Sequence, residues 1–233
     1  MTSLILASLT FFFLHRVVSG SRLRDVIVAR IGESVYRNLF ALASLACVMW
    51  LWAGYNIARR APSNIELFSS SAISHYLQPL VQFVAITLIV LGLSTRNPTI
   101  AGMGDAVRQP GVVRGALRIT RHPFLWGVSI FAAGHLLVQS DLASWIFFGS
   151  LFVLALTGTL SIDAKRKRAL GSEWDGFVRL TSNVPFVAIL AGRQRLDLAQ
   201  IGWPRFGAAT ATYVLLIVAH PILFGGTAVP LAN

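Results

Sequence analysis

Residues 143–162 read ASWIFFGSLFVLALTGTLSI, and residues 163–168 then read DAKRKR. Twenty residues without an ionisable side chain are enough, as a helix, to cross a hydrocarbon core of roughly 30 Å. They end in a block of four cations, the pattern of a membrane span meeting the cytoplasmic surface. Five further stretches satisfy the same length criterion: about 2–20, 36–57, 75–95, 123–141 and 206–225. Turn-forming residues punctuate them at Ser19-Gly20-Ser21, Ala61-Pro62-Ser63, Asn97-Pro98, Ser140-Asp141 and Trp203-Pro204. Segment 22–35 is amphipathic and of mixed charge, suited to the headgroup layer, and 183–202 is too broken to span.

The composition of the 233-residue chain agrees. It is 55% hydrophobic and 12% charged, with a mean hydropathy of +0.67. A soluble domain of this size leaves too much of its surface in water to hide that much apolar area, whereas a helix in lipid satisfies its own backbone. The expected fold is therefore an all-α integral membrane protein, one domain over 1–233, with six transmembrane helices.

The net charge of +11 does not signify nucleic acid, because the cations fall in blocks between apolar runs. Eighteen of the twenty basic residues share one side when the N-terminus is placed outside; Arg59 and Arg60 are the exceptions. That tally favours an even number of spans, both termini on the non-cytoplasmic side, and a bacterial inner (cytoplasmic) membrane. The apolar N-terminus lacks a basic leader region and a small-residue cleavage site, so it is expected to remain as the first span. A single cysteine, Cys47, excludes a disulfide framework. The run Lys165-Arg166-Lys167-Arg168 is a topology signal and an expected contact for anionic lipid, membrane lipids being the partners that the sequence implies.

The chemistry rests with five histidines: His15, His75, His122, His135 and His220. Neutral imidazole donates one hydrogen bond and offers its other nitrogen to a metal. His15 ends the first span and His122 opens the fourth from the same side, so these two form the natural ligand pair at the inner depth. His135 lies thirteen residues beyond His122, about 20 Å deeper. An interhelical or interfacial hydrogen bond accounts equally well for any one of them. No span contains an acidic residue except at its ends (Asp141, Asp163), which disfavours carboxylate-rich metal sites, and no HExxH, GxSxG or phosphate-loop context occurs. A haem held by two helix histidines asks only for what is present, plus apolar walls and small residues. Gly127 and Gly134, on one face of the fourth span, admit either a ring edge or a neighbouring helix.

Several motifs together resemble the NnrU family of bacterial membrane proteins, whose relatives include 15-cis-zeta-carotene isomerase. They are Phe13-Leu14-His15, Arg24-Asp25, Val28-Ala29-Arg30, Gly32-Glu33, Arg121-His122-Pro123-Phe124-Leu125-Trp126-Gly127, Ala133-Gly134-His135-Leu136-Leu137, Asp141-Leu142-Ala143-Ser144 and Phe148-Gly149. The resemblance covers about 5–195, with the span at 206–225 beyond it. It implies haem b bound by histidines, with His15, His122 and His135 the family-like positions: His15 and His122 as axial ligands, His135 as an alternative ligand or part of a substrate pocket. It further implies haem-dependent cis/trans isomerisation of a hydrophobic polyene, the NnrU branch being associated with denitrification.

Two other readings compete. Arg121-His122-Pro123 and Gly127 also resemble the S-adenosylmethionine-dependent isoprenylcysteine carboxyl methyltransferases, but Leu125 replaces a tyrosine and Ile162-Asp163 keeps half of an acidic pair. A non-catalytic haem sensor or electron-transfer protein is the third.

Overall fold

The computed structural model describes residues 1–225. Its elements are α1 (Thr2–Phe13) continued by a π-turn (Leu14–Val18), α2 (Leu23–Ile31), α3 (Glu33–Ala58), α4 (Ala72–Ser94), α5 (Ala116–Ile119), α6 (Pro123–Val138), α7 (Leu142–Leu170), α8 (Ser172–Leu180), α9 (Val187–Leu190) and α10 (Trp203–Phe224). Pairing of extended backbone among the described residues is confined to an isolated bridge, Glu66 to Asp141. The all-helical membrane fold expected from the sequence is therefore present.

An apolar helix stands at each of the six expected places, but they differ in reach. α3, α4, α7 and α10 are each long and apolar enough to cross a bilayer, and α1 with its π-turn qualifies together with α2, bent by 75° from it. α6 has 16 residues, about 24 Å at 1.5 Å per residue, which falls short of the hydrocarbon thickness. The expected 123–141 ends earlier because Gln139 leaves helical geometry. In contrast, α7 runs on to Leu170, since Ala164 to Ala169 are good helix formers; Gly171, at φ +55°, stops it. The charge-free tail 226–233, assigned to the outer side, lies outside the described residues.

Side-chain contacts order the helices. α1 and α3 run antiparallel, with Trp50 Nε1 donating to Ser3 Oγ at 3.0 Å at one end and His15 Nε2 3.4 Å from Ser44 Oγ towards the other. α1 lies parallel to α7, where Arg16 donates to the Thr157 carbonyl at 3.1 Å. α7 pairs antiparallel with α6, and α6 with α4. The last helix leans on α4 through Phe83, which meets Phe206 and Tyr213 edge-on, and Tyr213 donates to the Pro79 carbonyl at 2.7 Å. Every basic block of the sequence thereby collects at one end of the bundle. Arg59, which donates to the Phe224 carbonyl, and Arg60 stand at the other.

The tightest seam is α4 against α6, where a Cβ on Gly92 would lie 2.5 Å from the Phe124 nitrogen, one on Gly127 2.7 Å from Ile89 Cγ1, and one on Gly134 2.6 Å from Gln82 Nε2. Between helices in lipid there is no hydrophobic drive, so such close backbone approach supplies the dispersion that holds them. Of the two roles open to Gly127 and Gly134, packing is the one observed. The ring edge considered for Gly127 has no room, because α4 fills that face.

Candidate functional site

His122 caps α6 from outside the helix, ahead of Pro123 at its first position. Proline there lacks only an N–H that the helix could not use. The imidazole is 1% exposed, and its Nε2 lies 2.7 Å from Asp163 Oδ1. A carboxylate only accepts, so Nε2 carries the hydrogen. Arg121 Nε donates to both Asp163 oxygens at 3.0 Å, its NH2 also bonds Oδ2, and Asn183 Nδ2 adds a contact at 3.3 Å.

The backbone around this ion pair is stitched from three segments. Asn97 Nδ2 and Thr99 Oγ1 donate to the Arg121 carbonyl, Thr120 Oγ1 donates to the Asn183 carbonyl at 2.5 Å, and the Arg121 N–H donates to the Ser182 carbonyl at 2.9 Å. Asn97, Thr120, Thr181 and Ser182 are all buried. One atom of the knot is left over: His122 Nδ1 is buried with no hydrogen-bond partner.

His15 and His135 are built differently, and alike. In each, Nδ1 lies 2.9 Å from the carbonyl four residues earlier, Phe11 for His15 and Phe131 for His135. For His15 the carbonyl only accepts, so Nδ1 bears the hydrogen and Nε2 keeps its lone pair, the tautomer of a metal-binding imidazole. At His135 the same nitrogen also lies 3.2 Å from Gln82 Nε2, which donates to the Phe131 carbonyl as well, so its tautomer is set between that carbonyl and that amide. Each ring rests against the phenyl of that same residue, with centroids 4.3 Å apart for Phe11–His15 and 4.4 Å for Phe131–His135. His135 also stacks on Phe148 at 4.3 Å and 10°. Phe11, Ala132 and Phe148 belong to one buried apolar cluster, against which Leu14 and Phe131 pack.

With α7 as a common ruler, His122 meets it at Asp163, Arg16 beside His15 meets it at Thr157, and His135 meets it at Phe148. The sequence reading placed His15 and His122 at one depth; the structure sets three levels. The reason is local: His122 precedes the helix it opens, while His15 sits within the π-turn, above Gly20. A Cβ at Gly20 would lie 3.0 Å from Ser161 Oγ. The other histidines lie towards the opposite end, where Ser70 Oγ contacts His75 Nε2 at 2.8 Å and His220 meets Phe224 with centroids 4.7 Å apart.

No group of three or more His, Cys, Asp or Glu side chains forms a metal-binding cluster among the described residues. A haem takes only two protein ligands, so the fit is judged on donor chemistry. His15 and His135 each border the apolar cluster with Nδ1 turned to a carbonyl, but their levels on α7, Thr157 and Phe148, stand about 13 Å apart, so each is a ligand position of its own and the two do not face each other. His122 also keeps one lone pair, on Nδ1, while Asp163 holds the hydrogen of Nε2; what sets it apart is that this nitrogen is buried inside the knot. The partner Asp163, forty-one residues away in sequence, was missed as a site residue. The signal available was that one of only two acids at span ends needs a cation, with Arg121 adjoining His122.

The family model described as NnrU protein matches residues 3–228, reaching past 195 through the last helix. Among curated proteins, 15-cis-zeta-carotene isomerase, chloroplastic, of Arabidopsis thaliana is 26% identical over 229 residues, covering 97% of this chain and 61% of the relative. The protein of the same description from Zea mays is 28% identical over 193 residues, covering 83% and 52%. The chain therefore spans between half and two thirds of the length of these relatives. No solved structure matches.

Proposed function

This chain belongs to the NnrU family, and from that premise we propose a haem-dependent cis/trans isomerase of a hydrophobic polyene, with haem b held by His135 or, one level nearer the basic end, by His15. The observation that carries the reading is the repeated unit of phenylalanine and histidine four residues apart, Phe11 to His15 and Phe131 to His135. In both copies the imidazole Nδ1 faces the phenylalanine carbonyl at 2.9 Å. The similarity to isomerases of a linear carotene supports the substrate class.

Bound there, a haem supplies an iron centre able to exchange electron density with a conjugated π system. The protein's part is to orient the imidazole, to line its surroundings with phenyl and aliphatic groups, and to keep water out. The apolar faces of α3, α7 and α10 suit a substrate that arrives through lipid. His122 is a positioning residue of the bundle in this scheme, pinning α6 to α7. The methyl-transfer reading loses its carboxylate to the same contact, since Asp163 is taken up by Arg121, His122 and Asn183.

We further assign six spans, with both termini on the non-cytoplasmic face of a bacterial inner membrane. Support comes from the alternating helix directions and the collection of basic residues at one end. α6 is short for a span, and the buried segment that precedes it at Thr120–His122 supplies the missing reach.

The deciding experiment is an absorption spectrum of the detergent-purified protein, oxidised and reduced. It is paired with chromatography of a cis-polyene incubated with the reconstituted protein. A Soret band and a changed double-bond geometry are expected; a haem-free protein that still isomerises the polyene overturns the cofactor.

A further inference from the structure

We propose a binding site for a phosphate group at the basic end of the bundle, the phosphate being carried by an anionic phospholipid or free in solution. The site is a cavity of about 840 Å³ between α2, the start of α3, the 102–105 loop and the last turns of α7. Six cations line it: Arg22, Arg24, Arg37, Lys165, Arg166 and Arg168. Three acids line it as well, and all three are spent. Asp25 and Glu33 both bond Arg24, and Asp105 bonds Arg108, which lies outside the cavity lining.

That leaves five cations with no carboxylate partner among the described residues. Arg166 donates to the Ile100 carbonyl at 2.7 Å and Lys165 to the Ser19 carbonyl at 3.4 Å. Those contacts place the side chains but neutralise nothing. Lys165 and Arg166 are half-buried and Arg22, Arg37 and Arg168 exposed; like charges gathered around one hollow repel one another, and an anion relieves that repulsion.

The loop is shaped for these side chains. A Cβ on Gly104 would stand 2.5 Å from Arg166 NH1, and one on Gly102 3.1 Å from Arg37 NH1. Two glycines thus let two guanidinium groups come close to the backbone, Arg166 with only its NH2 bonded, to the Ile100 carbonyl. Planar forks presented in this way match phosphate oxygens bidentately. The position also suits the chemistry. α2 turns away from α1 by 75°, so the cavity opens where an interfacial helix meets the end of a long span. Phospholipid phosphates concentrate at that depth.

The test follows the thermal unfolding of the full chain in detergent, by tryptophan fluorescence, during titration with three probes. These are phosphatidylglycerol in mixed micelles, phosphatidylcholine in mixed micelles, and inorganic pyrophosphate. Phosphatidylglycerol is expected to stabilise saturably. Pyrophosphate that competes with it marks a site for the phosphate itself; pyrophosphate without effect marks the lipid as the source.

The double variant Arg37→Gln/Arg168→Gln removes two exposed cations of the lining and is expected to weaken the effective anion about tenfold or more. Arg30→Gln/Arg114→Gln removes two exposed cations from the same end outside the cavity, and is expected to change binding less than about twofold. Gly104→Ala keeps every charge but displaces the Arg166 guanidinium, and should weaken binding several-fold. Equal weakening by the two double variants, no effect of Gly104→Ala, or absence of saturation with both phosphate species would each show a diffuse charge field and overturn the site.

Discussion

The two ends of α6 carry one histidine each, and they keep opposite company. His122 is locked into an ion pair and a three-segment backbone knot, its Nε2 given to Asp163. His135 rests among phenyl rings, with Nδ1 turned back on its own helix. The difference is one of surroundings. A carboxylate on Nε2 and a carbonyl on Nδ1 each leave the ring one lone pair, but at His122 that nitrogen is buried inside the knot without a partner, whereas His135 is set among phenyl rings. His15, on another helix, follows the second pattern.

The largest effect expected from this contrast is all-or-none. His135→Ala and His15→Ala test the two positions separately: the variant that lacks the ligand should lose stoichiometric haem, read as loss of the Soret band per chain, and two variants that both keep it overturn the assignment. His122→Asn should retain haem while lowering thermal stability. A His122→Asn protein that is well folded and colourless, beside a red His135→Ala protein, would reverse the assignment.

Next in size is the carboxylate that separates the two classes. Asp163→Ala leaves the Arg121 and His122 side chains buried, 10% and 0% exposed, without their acceptor. Removing one member of a buried charge pair costs about 3–5 kcal/mol. The expected result is a sharply lower midpoint in a detergent thermal melt, or failure to recover folded protein. Arg24→Gln tests the surface counterpart: Arg24 pairs with Glu33, which is 52% exposed, and such pairs contribute about 1 kcal/mol or less. If the two substitutions cost alike, the knot is not the fold-holding element argued for it.

How far the sequence disclosed these two regions follows from the range of the interactions. Spans are local: twenty apolar residues ended by Lys165-Arg166-Lys167-Arg168 announce themselves, and so do the caps at Asp141 and Pro123. The phenylalanine–histidine unit is local as well, four residues apart in both copies, yet periodicity alone does not say which nitrogen the carbonyl holds. The His122–Asp163 contact joins residues forty-one apart, and nothing in spacing fixes that. Depth estimates assumed that each span begins where its apolar run begins. His122, outside its helix, and His15, in a π-turn, both break that assumption, so the expected pairing rested on a level the two do not share.

The α4–α6 seam carries the next prediction, since it sets where both ends of α6 stand. Gly92→Ala would drive a methyl group to within 2.5 Å of the Phe124 nitrogen, and backbone cannot yield as a side chain can. Overpacking of this kind costs about 1–3 kcal/mol. Gly149→Ala, at a glycine with no neighbour within 4 Å of a built Cβ, should leave the melting midpoint unchanged. If the two variants melt together, close approach at this seam contributes nothing.

The smallest effect lies at Asp141, which gives the far end of the bundle its own carboxylate without a cation. It caps α7, accepting from the Ser144 N–H at 3.0 Å and the Ser144 hydroxyl at 2.6 Å, and Asn64 Nδ2 donates to it at 3.0 Å. Burial alone would raise its pKa, but the hydrogen bonds from Ser144 and Asn64 outweigh that and hold it below the usual carboxylate value. A depressed folded-state pKa means stabilisation that is fully present above the unfolded value, near 3.9, and lost as pH falls through the folded one. Asp141→Asn keeps a competent cap but removes the charge at the helix N-terminus, a loss of about 0.3–1 kcal/mol at neutral pH. The gap in melting midpoint between the parent and this variant should be constant from pH 7 to pH 5 and close on further acidification. A gap that widens as the pH drops would mean that the carboxyl is stabilised protonated, and the hydrogen bonds drawn to it would then run the other way.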